Sequence, residues 1–425
     1  MSKWYPLDNA AQIFPSLIKK RQTNSFRLSA LLKDDVDKES LKQALTKTLE
    51  RFPTFKVCLK KGIFWFYLNE NIYKPTVKKE DAYFCESQNF RRQNFYLFNV
   101  QYFGRRLSVE IFHALTDGNG GIEFLKALLY NYLLLKGYTI NDEGLILTNS
   151  FEQLLDESQD SFAYNYEKKI KKKSQESKAF KITGKFHAHE WTSVIQAIIE
   201  LDTLKRAAHK YNATITEYIS AVILYNVSKT YYYNHKNKKS NLKHPIRLFV
   251  PINVRKYFNS TTLRNFVLFL RTTSRFREDV TFEEVLKHIK DTFIEENNEQ
   301  AMLARIKTNM MLEKNVFVRF MPLFLKSIII KIVFHFIGTG SNTISFSNIG
   351  KVNLPKDMIP HIERFDFANG GSKYAPINVG AIGYENKFTL TFTSRIIERK
   401  LQKAIIEHLI KDEVSLVCET NDLEV

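Results

Sequence analysis

His113, Asp117 and Gly118 stand together in the stretch Phe112-His113-Ala114-Leu115-Thr116-Asp117-Gly118. Imidazole titrates near neutrality, so a histidine with a fixed ring and an accessible nitrogen suits proton transfer at pH 7. An acid four residues on can brace the loop through a buried ion pair, and a glycine after it can take a φ that other residues avoid. Taken singly, each residue has a plainer reading, since a lone histidine at a strand end is usually a hydrogen-bonded structural residue and Asp-Gly is a common turn. The elements on either side give the combination its mechanical sense. Leu107, Val109 and Ile111 alternate with Ser108 and Glu110, which predicts a strand over 107–112. Ile122, Phe124, Leu125, Leu128, Leu129 and Leu133 recur at helical spacing, which predicts a helix over 122–135. His113 therefore falls on a loop between two packed elements, a position that holds a side chain still while leaving it accessible.

The HxxxDG pattern from His113 to Gly118 resembles the signature of the chloramphenicol-acetyltransferase-like superfamily. That group includes alcohol O-acyltransferases, plant BAHD acyltransferases, mycobacterial polyketide-associated acyltransferases and peptide-synthetase condensation domains. Pro251-Ile252-Asn253-Val254-Arg255, after an apolar strand at 246–250, resembles the family's PxNxR segment, whose arginine pairs with the aspartate of HxxxDG. Phe346-Ser347-Asn348-Ile349-Gly350 resembles the SNxG strand end that faces the histidine across the active-site tunnel in some members. The opening Tyr5-Pro6-Leu7-Asp8 and the Arg51-Phe52-Pro53 turn are similar to alcohol acetyltransferase-like sequences, so the resemblance covers nearly the whole chain. Two departures matter. Condensation domains usually carry two adjacent histidines where this chain has Phe112, which points toward ester rather than amide formation. The BAHD DFGWG sequence is absent, and 365–370 is only a loose echo of it.

The resemblance implies an α/β (α+β layered) fold of two lobes, each a mixed sheet flanked by helices, with the active-site tunnel between them. It implies an acyl transfer from a thioester to a hydroxyl, with His113 as general base and Asp117, Gly118 and Arg255 as structural support. Ser347 or Asn348 would offer an oxyanion donor, and Asn265, in Leu263-Arg264-Asn265-Phe266, resembles a family asparagine near the tunnel. The co-substrate would be acyl-CoA or an acyl-phosphopantetheine, with no metal and no permanently bound cofactor. An alcohol would be the acceptor, and an acyl carrier protein is the alternative source of the donor. Two other readings stay open: a non-catalytic condensation-like binding domain, and amide-forming condensation with an amine acceptor.

Composition sets the frame for these elements. At 425 residues, with 44% hydrophobic residues, 34 Phe and 20 Tyr, the chain can bury two cores. A polar, charged stretch divides it into an N-terminal lobe over 1–155, a connection over 156–180 and a C-terminal lobe over 181–425. Further strands are expected at 25–32, 54–60, 64–69, 95–103, 193–199, 266–272, 343–348, 378–384 and 388–394. Helices are expected at 38–52, at 203–211 after Asp202, from Thr214 or Thr216 to about 232, from near 281, and at 396–411. The net charge of +18 is scattered, and the run Lys168–Lys173 lies in a polar stretch without any nucleic-acid motif, so no nucleic-acid partner is expected. Surplus positive potential could instead draw the phosphates of coenzyme A. Cys58, Cys85 and Cys418 form neither a disulfide framework nor a zinc site, which suits the cytoplasm. The most apolar region, 316–337, is interrupted by Arg319, Pro322, Lys326 and Lys331, so it does not span a bilayer. It reads as two helices packed into the second lobe, with a basic membrane-surface helix as the alternative. His187-Ala188-His189 lacks partners for a metal, Gly338-Thr339-Gly340-Ser341 lacks the lysine of a P-loop, and Phe64-Trp65-Phe66-Tyr67 reads as a buried strand. A monomer is the default.

Overall fold

Strands form where branched and aromatic residues alternate, and here they assemble into three sheets. The computed structural model describes residues 3–18, 23–85, 89–149, 155–168, 177–188, 191–233, 242–336, 340–372 and 374–422. Lys169–Lys173, His189, Gly338 and Thr339 lie outside them. In chain order the strands are β1 (Trp4–Pro6), β2 (Ser25–Leu32), β3 (Val57–Lys61), β4 (Phe66–Glu70), β5 (Val77–Lys79), β6 (Phe98–Phe103), β7 (Arg106–Phe112) and β8 (Ser193–Glu200). They continue with β9 (Ile246–Asn253), β10 (Val267–Ser274), β11 (Ile344–Lys351), β12 (Ile362–Asn369), β13 (Ile377–Tyr384), β14 (Lys387–Ser394) and β15 (Leu416–Thr420).

The first lobe is built on the sheet β12-β2-β7-β6-β5. Leu107, Val109 and Ile111 of β7 are buried against the helices Lys38–Arg51 and Gly118–Leu135, within one core cluster. Asp37 caps the first of these helices by accepting from the Ser40 N–H at 2.7 Å. The opposite face of β7 is also buried. Glu110 there accepts from Arg27 Nε at 3.0 Å, and Ser108 lies 2.9 Å from Ser29. The second lobe is the sheet β10-β9-β11-β13-β14-β8-β15, with the helices Ile215–Val227, Phe282–Glu296 and Lys400–Lys411 in its core. Thr214 and Thr281 each close a capping box at the start of their helices. The small sheet β1-β4-β3 completes the fold. This is the expected α/β architecture of two sheet-and-helix lobes.

Several elements depart from the sequence reading for physical reasons. Strand β12 follows the polar connection in the chain, yet it pairs antiparallel with β2 at the edge of the first sheet. The first part of the connection is packed rather than free: Arg51 forms a two-pronged pair with buried Glu157 at 2.7 and 2.8 Å, and Phe162 is buried. The helix after His113 begins at Gly118, four residues earlier than its apolar periodicity, because Asp117 caps it. Asp202 lies inside the helix Leu201–Lys210 rather than capping it. Phe64-Trp65-Phe66-Tyr67 spans the β3–β4 hairpin tip and is half-buried or exposed. The helices Val316–Phe320 and Leu323–Phe336 turn much of their apolar surface outward instead of into the second lobe.

Candidate active site

Strand β7 lies between β2 and β6, so its end is held on both sides. There the His113 N–H donates to the Asn24 carbonyl at 2.9 Å, and the His113 carbonyl accepts from Asn265 Nδ2 at 3.0 Å. The ring stacks on Phe14, with centroids 5.3 Å apart, and packs against Phe26 at 4.7 Å. Its Nδ1 is enclosed, and the Asn265 side chain and the Thr116 backbone lie close enough to favour a protonated ring. Burial between the two rings pushes the imidazole pKa below its ordinary value, against the opposing pull of the Asp117 charge. Burial therefore favours the neutral ring.

Asp117 does two jobs with one buried carboxylate. It caps the helix Gly118–Leu135 by accepting from the N–H groups of Asn119 at 3.0 Å and Gly120 at 3.1 Å. It also receives Arg255, with Nη1 2.9 Å from Oδ2 and Nη2 3.1 Å from Oδ1, and the Phe266 N–H at 2.8 Å. Arg255 extends the clasp by donating to the Thr262 carbonyl at 2.8 Å. Thr116 donates to the Leu263 carbonyl at 2.5 Å. The segment 253–266 thus grips the HxxxDG loop from the second half of the chain, the pairing of arginine and aspartate that the resemblance implies.

Gly118 does not have the unusual backbone expected of it, because its φ is not positive. What matters there is space: a Cβ would lie 2.4 Å from Ile349 Cδ1. The stricter position is Gly120, where a Cβ would meet Thr116 Oγ1 at 2.1 Å and the Leu263 carbonyl oxygen at 2.3 Å. The contact of Ile349 with Gly118 also brings the Ser347–Gly350 segment of β11 against the start of this helix. In that segment Asn348 is engaged, donating to Thr216 Oγ1 at 3.2 Å and accepting from the Gly350 N–H at 2.9 Å. The Ser347 hydroxyl makes no hydrogen bond among the described residues.

Asn265 is buried, and its side-chain amide nitrogen serves two acceptors, His113 O and Asp8 Oδ2 at 3.1 Å. Asp8, fully buried, also accepts from the Ala11 N–H at 2.8 Å and faces Arg264 at 3.6 Å. Burial raises its pKa, and Arg264 and Asn265 oppose that rise. The roles of Asp8, Phe14 and Gly120 were not legible in the sequence. Only the Tyr5–Asp8 opening hinted at the first, and its partner Asn265 lies 257 residues away. A cleft of about 460 Å³, lined by Arg27, Trp191, Asp366 and Glu419, opens on the face of β2 opposite Phe26 and so does not reach the imidazole.

No family profile and no curated protein matches the chain. Solved structures do. Polyketide synthase associated protein 5 from Mycobacterium tuberculosis aligns over 95% of this chain and 96% of its own, with a TM-score of 0.61 and 14% identity. The starter condensation domain of rhizomide synthetase RzmA, in a variant complexed with C8-CoA, aligns over 98% of both chains at a TM-score of 0.58 and 10% identity. The chain has the condensation-domain fold. The TRI3 trichothecene 15-O-acetyltransferase from Fusarium sporotrichioides shares it, with 97% of this chain and 95% of that one aligned at a TM-score of 0.55 and 10% identity. At such identities the likeness is one of fold.

Proposed function

We propose that this protein is an O-acyltransferase, moving an acyl group from the thioester of coenzyme A, or of a carrier-bound phosphopantetheine, to a hydroxyl acceptor. The observation that carries this reading is the His113 ring, stacked on Phe14 with the residue's backbone carbonyl held by Asn265, beside the Asp117–Arg255 clasp that joins the two halves of the chain. With Nδ1 enclosed, Nε2 is the nitrogen assigned to proton transfer. It takes the proton of the acceptor hydroxyl as the alcohol oxygen bonds to the thioester carbonyl carbon. The tetrahedral oxyanion then collapses, the carbon–sulfur bond breaks, and the imidazolium returns the proton to the departing thiolate.

Each other residue has a separate task. Asp117 and Arg255 position the loop, since the carboxylate oxygens are taken up by Arg255 and by backbone N–H groups. Asn265 positions the histidine. Ser347, rather than the engaged Asn348, is assigned as oxyanion donor. An O-acetyltransferase and a complex with C8-CoA among the similar structures support this chemistry. We place the enzyme, as a monomer, in the cytoplasm, in keeping with its free cysteines. The division into lobes at 156–180 belongs to the same proposal, with β12 returned to the first sheet.

The test is thiol release from acetyl-CoA and longer acyl-CoAs, with and without a panel of alcohols and amines, for wild type and His113→Ala. Alcohol-dependent release that falls by about 10²–10⁴-fold in the variant is the expected result. Turnover equal to wild type in His113→Ala would refute the mechanism, and release dependent on amines alone would replace ester with amide formation.

A further inference from the structure

Between Glu313 and Asp357 the chain has no acidic residue, while Arg319, Lys326 and Lys331 fall within its most apolar stretch and Lys314 just before it. The helices Val316–Phe320 and Leu323–Phe336 carry that stretch, and their orientation is inverted from the usual one. Phe317 is 86% exposed, Phe324 66% and Phe320 65%, and Ile328, Ile329 and Ile332 are also exposed. The buried face holds a lysine beside Leu323. Lys326 Nζ lies 3.0 Å from the centre of the Trp65 ring and donates to the Phe64 carbonyl at 2.9 Å. Desolvation there lowers its pKa to about 8. The Leu323 N–H donates to the Ile63 carbonyl at 2.8 Å, so the β3–β4 hairpin tip is tied to the same surface. Ile63 and Phe64 extend the apolar patch, with the Phe64 ring edge-on to Phe320 at 6.2 Å.

The rim of this patch is cationic. Lys314 and Arg319 line a cleft with Phe64 and Trp65, and the exposed Lys61 and Lys331 adjoin the patch along the hairpin and the helix. The acids beside it are both engaged by Asn9: Glu313 accepts from its Nδ2 at 2.9 Å and Asp160 from its N–H at 3.1 Å. No described helix is long and apolar enough to cross a membrane. An aromatic and aliphatic centre ringed by lysine and arginine matches an interface with apolar chains beneath anionic headgroups. We propose that this surface docks on anionic lipid bilayers, with the phenylalanines at the acyl boundary and the basic rim at the phosphates.

The docked helix is also linked to the candidate base. Ser327 Oγ lies 3.1 Å from Ser16 Oγ on the short helix Phe14–Leu17, whose first ring stacks on His113. Resting on the acyl-transfer reading, this connection names the substrate class: an apolar alcohol or a long acyl chain held in the bilayer.

The test is co-flotation of the full chain with vesicles of phosphatidylcholine alone and of phosphatidylcholine mixed with phosphatidylserine. It reads binding without turnover, so failure of the acyl-transfer reading does not mask the result. Wild type is expected to float with the mixed vesicles. The double variant Phe317→Ser with Phe324→Ser should lose about tenfold or more in partitioning. Lys61→Glu with Lys331→Glu should weaken binding to the mixed vesicles in particular. All variants should keep wild-type melting and thiol release with a water-soluble alcohol. Wild type that stays in solution with every vesicle would overturn the proposal. So would a phenylalanine variant that floats as well as wild type. A wild-type dimer dissociated by the same two substitutions would assign the patch to a second copy of the chain and overturn it equally.

Discussion

Replacing Asp117 with alanine should loosen the junction between the two halves of the chain and cost activity through that loss. The native carboxylate takes both terminal nitrogens of Arg255, at 2.9 and 3.1 Å, and the N–H groups of Asn119, Gly120 and Phe266 at 3.0, 3.1 and 2.8 Å. Both side chains are buried, at 2% and 7% exposure for Asp117 and Arg255. Alanine leaves the guanidinium in place without its counter-charge, which costs about 3–5 kcal/mol. Losing the helix cap costs a further ~0.5–2 kcal/mol, and the two losses overlap because the same oxygen serves both. A total near 4 kcal/mol, at about 2–4 °C per kcal/mol for a lobe of about 200 residues, lowers the melting temperature by about 8–16 °C. Calorimetry of wild type and variant measures it, with thiol release assayed well below both transitions. Removing the stranded charge as well, in Asp117→Ala with Arg255→Met, should cost less than the sum of the single changes. An Asp117→Ala protein that melts like wild type but has no turnover would refute this reasoning and place the carboxylate in the chemistry itself.

Two further outcomes follow from the same geometry. Burial lowers the His113 pKa below its ordinary 6.5, so kcat/KM should hold through neutrality and fall only as pH drops through that lowered value. The unfolded chain binds the proton first, so this group's contribution to stability is present above about pH 6.5 and is lost as pH falls toward the folded pKa. An acid limb at or above 6.5 would contradict the enclosure of the ring. At the helix start, Gly120→Ala sets a Cβ against the Leu263 carbonyl oxygen at 2.3 Å and should destabilise by about 1–3 kcal/mol. Gly118→Ala meets only the movable end of Ile349 and should melt closer to wild type; equal melting of the two variants would count against this packing.

Much of the frame was legible along the chain because its signals are local. The alternation in 107–112 marks β7 whatever it packs against, and Asp37, Thr214 and Thr281 cap the helices that follow them. The pairing of Asp117 with Arg255, 138 residues apart, came from the resemblance of two motifs rather than from any local preference. Other features had no such guide. The pleat of Ile362–Asn369 suits either sheet, and only the assembled lobes put it beside β2. The hydrophobicity of 316–336 predicts burial, yet it does not say which side turns inward, and the docking of Lys326 on Trp65 leaves the phenylalanines outside. Asp8, Asn265 and the His113 carbonyl meet only because distant loops converge at the end of β7. Propensity, periodicity and capping act over a few residues, so the sequence alone marked many of the elements and, with the resemblance of its motifs, singled out the candidate base. Which faces meet depends on packing between segments far apart in the chain, and that tertiary choice decided the ring's surroundings, the grip on its loop and the patch left open to solvent.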